Sequence, residues 1–328
     1  MSADAAVFMD LHSHWLINGH YLRHPLSALR PDRLPFGPFG NRIDIEDAAR
    51  AGVRCVTFTA YAPVSPLFWV PRSEATLAQI RTFYRVARES GGRLRPARTG
   101  VEARAAAADG AVAGVLAVEG GHSLDGNPAM LDAFAELGVR FLTLVHFKAN
   151  ELGDAGESSR KPWGGLSPLG REVVSRMRAL RIVPDVAHLS DDGVHQVLDL
   201  TDGPVVSTHT GMRALVDRPR NLPDGQARGI ARSGGVVGII LFPPYLDGRH
   251  PMGQSVDRFL DHVCHAAWVM GPRHVAVGSD MDGFTWTPRG LRGYADWPIL
   301  SEGLARRGFS PPEIQGILGG NALRVLDA

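Results

Sequence analysis

The feature that most constrains this chain is an alternation that runs from end to end. Short apolar runs are separated by longer stretches with helical periodicity. The runs are Val7–Met9, Cys55–Ala60, Ala113–Val118, Phe141–Val145, Ile182–Ala187, Pro204–Ser207, Gly235–Phe242 and Val275–Gly278. They are too short for helices and lack strict polar alternation, the pattern of strands buried on both faces in a parallel sheet. Between them lie predicted helices at Ile43–Ala51, Glu74–Ser90, Met130–Leu137, Pro168–Leu180 and Asp191–Leu200. Ser190 is placed to cap the last of these, and Gly52, Gly138 and Gly271 to end helices. Eight such runs predict an α/β fold, a (β/α)8 TIM barrel formed as one domain over residues 1–328. An open doubly wound sheet is the structural alternative.

What ends each run separates the two. In a barrel, the strands' C-terminal ends share one mouth, where active sites are built. The first run leads into Asp10-Leu11-His12-Ser13-His14 and the third into Glu119-Gly120-Gly121-His122. The fourth ends at His146, the fifth at His188, the sixth at His209 and the eighth at Asp280. Any one imidazole or carboxylate there is more simply a structural residue or a helix cap. Structural roles would scatter over both ends of a barrel, whereas these six strand ends accumulate the same chemistry.

Zinc takes imidazole nitrogen and carboxylate oxygen, and a catalytic site leaves a position for water. His12 and His14 are two apart on an extended strand and point the same way, so both can reach one ion. Asp10 has the same parity and is expected behind them as a hydrogen-bond partner. Glu119 has two oxygens and could bridge two metals, leaving His188 and His209 to serve the second. Asp280 could bind the first metal and accept a proton from the attacking water. The expected cofactor is a pair of divalent ions, zinc first among the candidates, with a bridging hydroxide as nucleophile.

The same segments resemble the membrane dipeptidase (renal dipeptidase) family of zinc peptidases in the amidohydrolase superfamily. The resemblance is carried, in order, by VEGGHSL (Val118–Leu124), GVRFLTLVH (Gly138–His146), GLSPLGREVV (Gly165–Val174), PDVAHLSD (Pro184–Asp191), RPRNLPD (Arg218–Asp224), HVAVGSDMDG (His274–Gly283) and GGNALRVL (Gly319–Leu326). It implies a binuclear zinc barrel that cleaves dipeptides, often with a D-residue at the C-terminal position, and that often forms a homodimer. It also implies roles. Glu119 bridges the metals, His188 and His209 bind the second, and Asp280 binds the first and handles the proton. His146 polarises the reacting carbonyl, and Arg220 pairs with the substrate carboxylate, a contact that suits a guanidinium. There is one departure. The family usually has His-x-Asp on its first strand, where this chain has His12-Ser13-His14. That exchange removes one negative charge from the first site and bears on metal preference, affinity and the pKa of bound water.

Other features carry less. His122 reads as a structural neighbour of Glu119. His262 and His265 are spaced for a metal pair but fall on a helix outside the barrel and read as surface residues. His20, His24, His195, His250 and His274 receive no functional role. Loop 61–72 reads as a pocket wall or a packed surface loop, and 148–165 as a mobile lid or a disordered insertion. Loop 284–298, with Trp286, Tyr294 and Trp297, reads as lining a substrate or subunit interface. Two cysteines, Cys55 and Cys264, cannot form a thiolate cluster and are expected as buried free thiols. A net charge of +1, from 35 basic and 34 acidic residues, gives no sign of a nucleic-acid or membrane surface. With no leader-like N-terminus and no apolar run of membrane-spanning length, the expected compartment is the cytoplasm. The leading reading is a dipeptidase-like hydrolase. The alternatives are a tailoring hydrolase acting on another amide, an N-acyl amino acid or a lactone, and a non-catalytic ligand-binding barrel.

Overall fold

The computed structural model describes residues 7–26, 42–63, 70–249, 255–284 and 286–328. Nine parallel strands follow one another along the chain: β1 (Phe8–Ser13), β2 (Val53–Tyr61), β3 (Leu94–Pro96), β4 (Val112–Glu119), β5 (Val139–Thr143), β6 (Val183–Asp185), β7 (Val206–Thr210), β8 (Val236–Ile239) and β9 (Val275–Val277). Eight of them pair in the order β1-β2-β4-β5-β6-β7-β8-β9, and β3 pairs along the start of β4. The predicted runs supply these eight, and β3 is an addition that no apolar run announces. The ring draws shut between its first and last members. Ser13 bridges Met281, the Asp280 N–H donates to the His12 carbonyl at 2.9 Å, and the His14 N–H donates to the Met281 carbonyl at 2.9 Å. The outcome is a nearly closed TIM barrel.

Helices α1 (Trp15–Tyr21), α2 (Ile45–Arg50), α3 (Arg72–Glu89), α4 (Gly100–Ala108), α5 (Met130–Glu136), α6 (Pro168–Met177), α7 (Asp191–Leu200), α8 (Asp224–Arg232), α9 (Pro243–Leu246) and α10 (Val256–Met270) connect the strands. Three more, α11 (Pro298–Arg306), α12 (Pro311–Gln315) and α13 (Asn321–Leu326), complete the chain. The Ser190 hydroxyl accepts from the Gly193 N–H at the start of α7, as its residue type predicts. Gly52, Gly138 and Gly271 all take positive φ at or just past helix ends, the backbone state that glycine alone adopts freely.

Strand β4 shows how packing aims the site. Val112, Leu116 and Val118 join the larger hydrophobic cluster with helical residues such as Phe83 and Phe134. Ala113, Val115 and Ala117 join a second cluster with Phe141, Val183, Val206, Val236 and Ala276 from the other strands, the filled interior of the barrel. Glu119 continues the inward parity and emerges at the mouth. Burying so many apolar side chains on both faces of the sheet, at about 25 cal/mol per Å², holds charged groups there that would be costly to bury alone.

Asp10 departs from the expected role. It does not support the imidazoles from behind. Its Oδ1 accepts from the Ser279 N–H at 2.8 Å and the His12 N–H at 3.3 Å, and its Oδ2 accepts from the Tyr294 hydroxyl at 2.9 Å and from the Ser279 hydroxyl. It therefore ties β1 to the segment after β9. Burial pushes this carboxyl up to about 6, with the bonds from Ser279, Tyr294 and His12 pulling the other way. Tyr294 and Trp297 are correspondingly fully buried, so they are core residues and line no interface. Of the three aromatics singled out in loop 284–298, Trp286 lies near the mouth, its ring 5.7 Å from that of Phe242.

Segment 148–165 is not a disordered insertion. Leu152, Ala155 and Asp154 are fully buried. Asp154 accepts from the Trp163 N–H at 3.2 Å and the Gly165 N–H at 3.0 Å. Most of loop 61–72 (residues 64–69), and His250, lie outside the described residues. Both cysteines are free, Cys55 buried and Cys264 only partly so. No helix among the described residues is long and apolar enough to cross a membrane.

The Tyr294–Asp10 bond gives a signed expectation. It stabilises the ionised carboxylate, so Tyr294→Phe should cost about 1.5–3 kcal/mol where Asp10 is charged, above pH about 6. The loss should shrink as pH falls below that value and the carboxyl is protonated in either variant. Urea unfolding at pH 8 and pH 5 measures both.

Candidate metal centre

Seven of the eight residues singled out by sequence line one small cavity, and the eighth, His12, is buried beside them with its Nε2 3.2 Å from that of His14. His12 and His14 come from the first strand and its end, Glu119 from β4, and His146 follows β5. His188 follows β6, His209 lies in β7, Arg220 is in the loop beyond, and Asp280 follows β9. The cavity holds about 150 Å³, with Ile17, Phe147, Phe242 and Phe284 among its apolar walls.

The donor atoms converge at the spacing of ligands around a cation. Ligands about 2.0–2.2 Å from a tetrahedral zinc lie about 3.3 Å from one another. His12 Nε2 and His14 Nε2 are 3.2 Å apart, and His14 Nε2 is 3.3 Å from Asp280 Oδ1 and 3.1 Å from Glu119 Oε2. A second group forms on the other carboxylate oxygen. Glu119 Oε1 lies 3.3 Å from His188 Nε2 and 3.4 Å from His209 Nε2, which are 3.1 Å from each other. His146 Nε2 stands further off, 3.8 Å from Glu119 Oε2.

Electrostatics make the same demand. Glu119 is almost wholly buried, yet neither of its oxygens has a hydrogen-bond partner, and what faces them are ring nitrogens, His14 Nε2 at 3.1 Å foremost. An uncompensated buried carboxylate is costly. Burial drives Glu119 upward, but the fields of His146, His14 and His12 outweigh it and hold the group well below its usual range, ionised. Burial lowers His12 and His146 to about 4 and holds His188 and His209 well below their usual range, which favours the neutral form that metal ligands take. For His14, burial is outweighed by Glu119 and Asp280, which raise it to about 10. In the absence of metal a proton on His14 answers Glu119 and Asp280; a cation could replace that proton, and two groups of donors on one Glu119 could hold two.

The backbone is bent to aim these groups. His188 and Asp280 carry φ of 66° and 57°, a left-handed state uncommon for residues other than glycine. Arg220 is buried and only partly satisfied. Its Nη2 donates to the His209 carbonyl at 2.6 Å, while Nε and Nη1 have no partner. Its guanidinium carbon sits 5.6 Å from the Tyr245 ring centroid.

Several histidines lie elsewhere. His122 is buried against the Ala62 carbonyl, at 2.9 Å from Nε2, a structural role as expected. His262 is not a surface residue. It is buried, its Nδ1 accepts from the Met212 N–H at 2.8 Å, and its Nε2 lies 3.1 Å from the Leu246 carbonyl. His265 pairs instead with Asp224, at 2.9 Å. Sequence reasoning missed Asp185, Thr208 and Tyr245. Asp185 precedes His188 by three residues and Thr208 immediately precedes His209, so their nearness to ligand-type residues was the available signal.

Comparison with known proteins decides the family. The model of the membrane dipeptidase family, peptidase family M19, matches residues 37–328. The chain belongs to the membrane dipeptidase family. An uncharacterized dipeptidase of Schizosaccharomyces pombe is 35% identical over 215 residues, 65% of this chain and 52% of that relative. Dipeptidase aclJ of Aspergillus oryzae is 34% identical over 217 residues, 66% of this chain and 51% of the relative. The chain thus spans about half the length of these curated relatives. Among solved structures, a family M19 metallopeptidase, dipeptidase AC, superposes with TM-score 0.86 at 28% identity, over 99% of this chain and 98% of that one. A Rhodobacter sphaeroides metallopeptidase, solved with a phosphinate mimic of L-Ala-D-Ala, gives TM-score 0.85 at 28% identity, with 99% of each chain covered.

Membership of this family and the donor set both call for divalent metal. Stripping metal with a chelator should lower the melting temperature, and adding zinc back should restore it. Zinc at a hundredfold excess over Kd should return about 2.7 kcal/mol of stability. Calorimetry with and without zinc measures the difference, and identical melting curves would count against a metal centre.

Proposed function

We propose that this chain is a metal-dependent dipeptidase that cleaves the amide bond of a dipeptide or dipeptide-like substrate bearing a free carboxylate. The observation that carries the reading is Arg220, with two unpartnered, buried N–H-bearing nitrogens beside the cluster of Glu119, His188, His209 and Asp280. Such a guanidinium wants an anion, and a carboxylate fits its fork. The small cavity favours a substrate below the size of ordinary drug-like ligands, whose pockets run from about 300 Å³ upward.

In this reading His12, His14 and Asp280 would hold one cation and His188 and His209 the other, with Glu119 available to both. Zinc is the proposed metal. When bound, the pair supplies a water of lowered pKa and Lewis acidity toward the amide carbonyl. The protein's own groups do the rest. Arg220 anchors the substrate carboxylate and fixes the amide over the centre. Neutral His146 keeps one N–H to donate to the carbonyl oxygen as charge develops on it. Asp280 accepts the proton of the attacking water at a carboxylate oxygen and passes it to the leaving nitrogen, which departs as an amine. A D-residue at the C-terminal position is the proposed tolerance, in keeping with the L-Ala-D-Ala mimic bound by the Rhodobacter sphaeroides relative.

A panel of L,L- and L,D-dipeptides, N-acyl amino acids and lactones tests the substrate class. Turnover confined to N-acyl amino acids or lactones would replace the dipeptidase reading with the tailoring-hydrolase one. Asp280→Asn should lower kcat by about 10²–10⁴-fold with the melting temperature little changed, and near-normal turnover would remove its proton role. Arg220→Ala should raise KM for substrates with a free carboxylate by about 10–100-fold, the weight of a charge-assisted pair. An equal effect on the C-terminal amide of the same dipeptide would show that Arg220 does not read the carboxylate.

A further inference from the structure

Behind the cluster, His12, His209 and Asp185 form a third group of potential ligands, with donor atoms all within 4.8 Å of one another. A hydroxyl fills the place a cation would take there. Thr208 Oγ1 lies 3.1 Å from His12 Nδ1, 2.9 Å from His209 Nδ1 and 2.6 Å from Asp185 Oδ2. A hydroxyl has one hydrogen and two lone pairs, and a carboxylate only accepts. Asp185 is wholly buried and takes four donors: the Thr143 hydroxyl at 2.5 Å, the Thr208 hydroxyl, the Thr208 N–H at 2.9 Å and the Ala187 N–H at 3.0 Å. The single hydrogen on Thr208 Oγ1 therefore goes to Asp185, and its lone pairs face the two rings. Each ring must answer with Nδ1–H, which leaves both Nε2 atoms bare toward Glu119. The other two rings lack this support, since His14 Nδ1 and His188 Nδ1 have no partner.

Local backbone makes the arrangement reachable. Thr208 and His209 are consecutive and would face opposite ways in a regular strand. The pairing of β7 with β8 shifts register between Ser207 and Thr210, and both side chains enter the same interior. The Thr208 carbonyl presses against Gly238 and Gly278, where an added Cβ would meet it at 2.0 Å and 1.8 Å.

We propose that Thr208, oriented by Asp185, is a positioning residue that fixes His12 and His209 as Nδ1–H tautomers, so that one hydroxyl presents a donor nitrogen to each half of the metal centre and couples their affinities. This rests on the metal-centre reading above. The test uses the full chain, stripped of metal and labelled with ¹⁵N-histidine, and then titrated with zinc. In the wild type, His12 and His209 should show protonated Nδ1 and bare Nε2 before any metal is added. Thr208→Val, close in shape, should lose that signature and weaken binding at both sites by about 10–100-fold. Thr208→Ser should restore both, and Thr143→Val, which leaves the Thr208 hydroxyl in place, should keep the tautomers. Wild-type Nε2–H tautomers, unchanged zinc affinity in Thr208→Val, or a loss at one site alone would each overturn the proposal. If the wild type shows the tautomers but takes up no zinc, the metal-centre reading fails and the orienting role of Thr208 stands. Melting of each metal-free variant separates these effects from misfolding.

Discussion

The closure of the sheet onto its first strand is the constraint from which the rest follows. His12 and Asp280 lie 268 positions apart in the sequence, yet the backbone bond from Asp280 to the His12 carbonyl sets them side by side. Asp10 reinforces the same seam by gathering Ser279 and Tyr294. An open sheet would leave these groups on opposite edges, and no ion could reach both. The fold's one topological closure and the first half of the candidate centre are therefore the same piece of structure.

Closure also sets the electrical problem that the mouth has to solve. Desolvation favours neutral rings and a neutral acid, yet Glu119 stays ionised because imidazoles surround it. Before metal arrives, the cluster thus sets four rings whose protonation burial disfavours, and one, His14, whose protonation Glu119 and Asp280 favour, around a buried carboxylate. The apolar packing of both strand faces supplies the stability that tolerates such an arrangement. The left-handed turns at His188 and Asp280 are local strain sustained by that surrounding order.

Much of this was legible in the sequence because barrel geometry turns one-dimensional position into three-dimensional proximity. A residue just past an apolar run must stand at the mouth, so Glu119, His146, His188, His209 and Asp280 could be placed without coordinates. What stayed hidden depends on contacts between segments distant in sequence. His262 carries helical spacing that suits a surface, but its partners come from the loops after β7 and β8, and nothing in its own neighbourhood reveals them. Asp10 has the parity to support the rings, but Ser279 and Tyr294 compete for its oxygens and win. Segment 148–165 looks loose by composition, yet one buried carboxylate, Asp154, organises it. Tyr294 and Trp297 read as surface aromatics for lack of any local sign that they pack inward. Strand β3 lacks the apolar run that marked the others, and Thr208 and Asp185 were overshadowed by the imidazoles of His209 and His188 close by in sequence.

The bond from Arg220 to the His209 carbonyl has a consequence of its own. The guanidinium is not a free arm searching for an anion, because it is braced against the main chain of a residue in the cluster. The span between its open nitrogens and the imidazoles is consequently a fixed gauge. On the proposed reading, a guest that grips one end would be measured at the other, and a spacer longer by one methylene would arrive out of step. Selectivity for length can thus arise from a brace between two neighbours, with no wall needed to exclude the longer molecule.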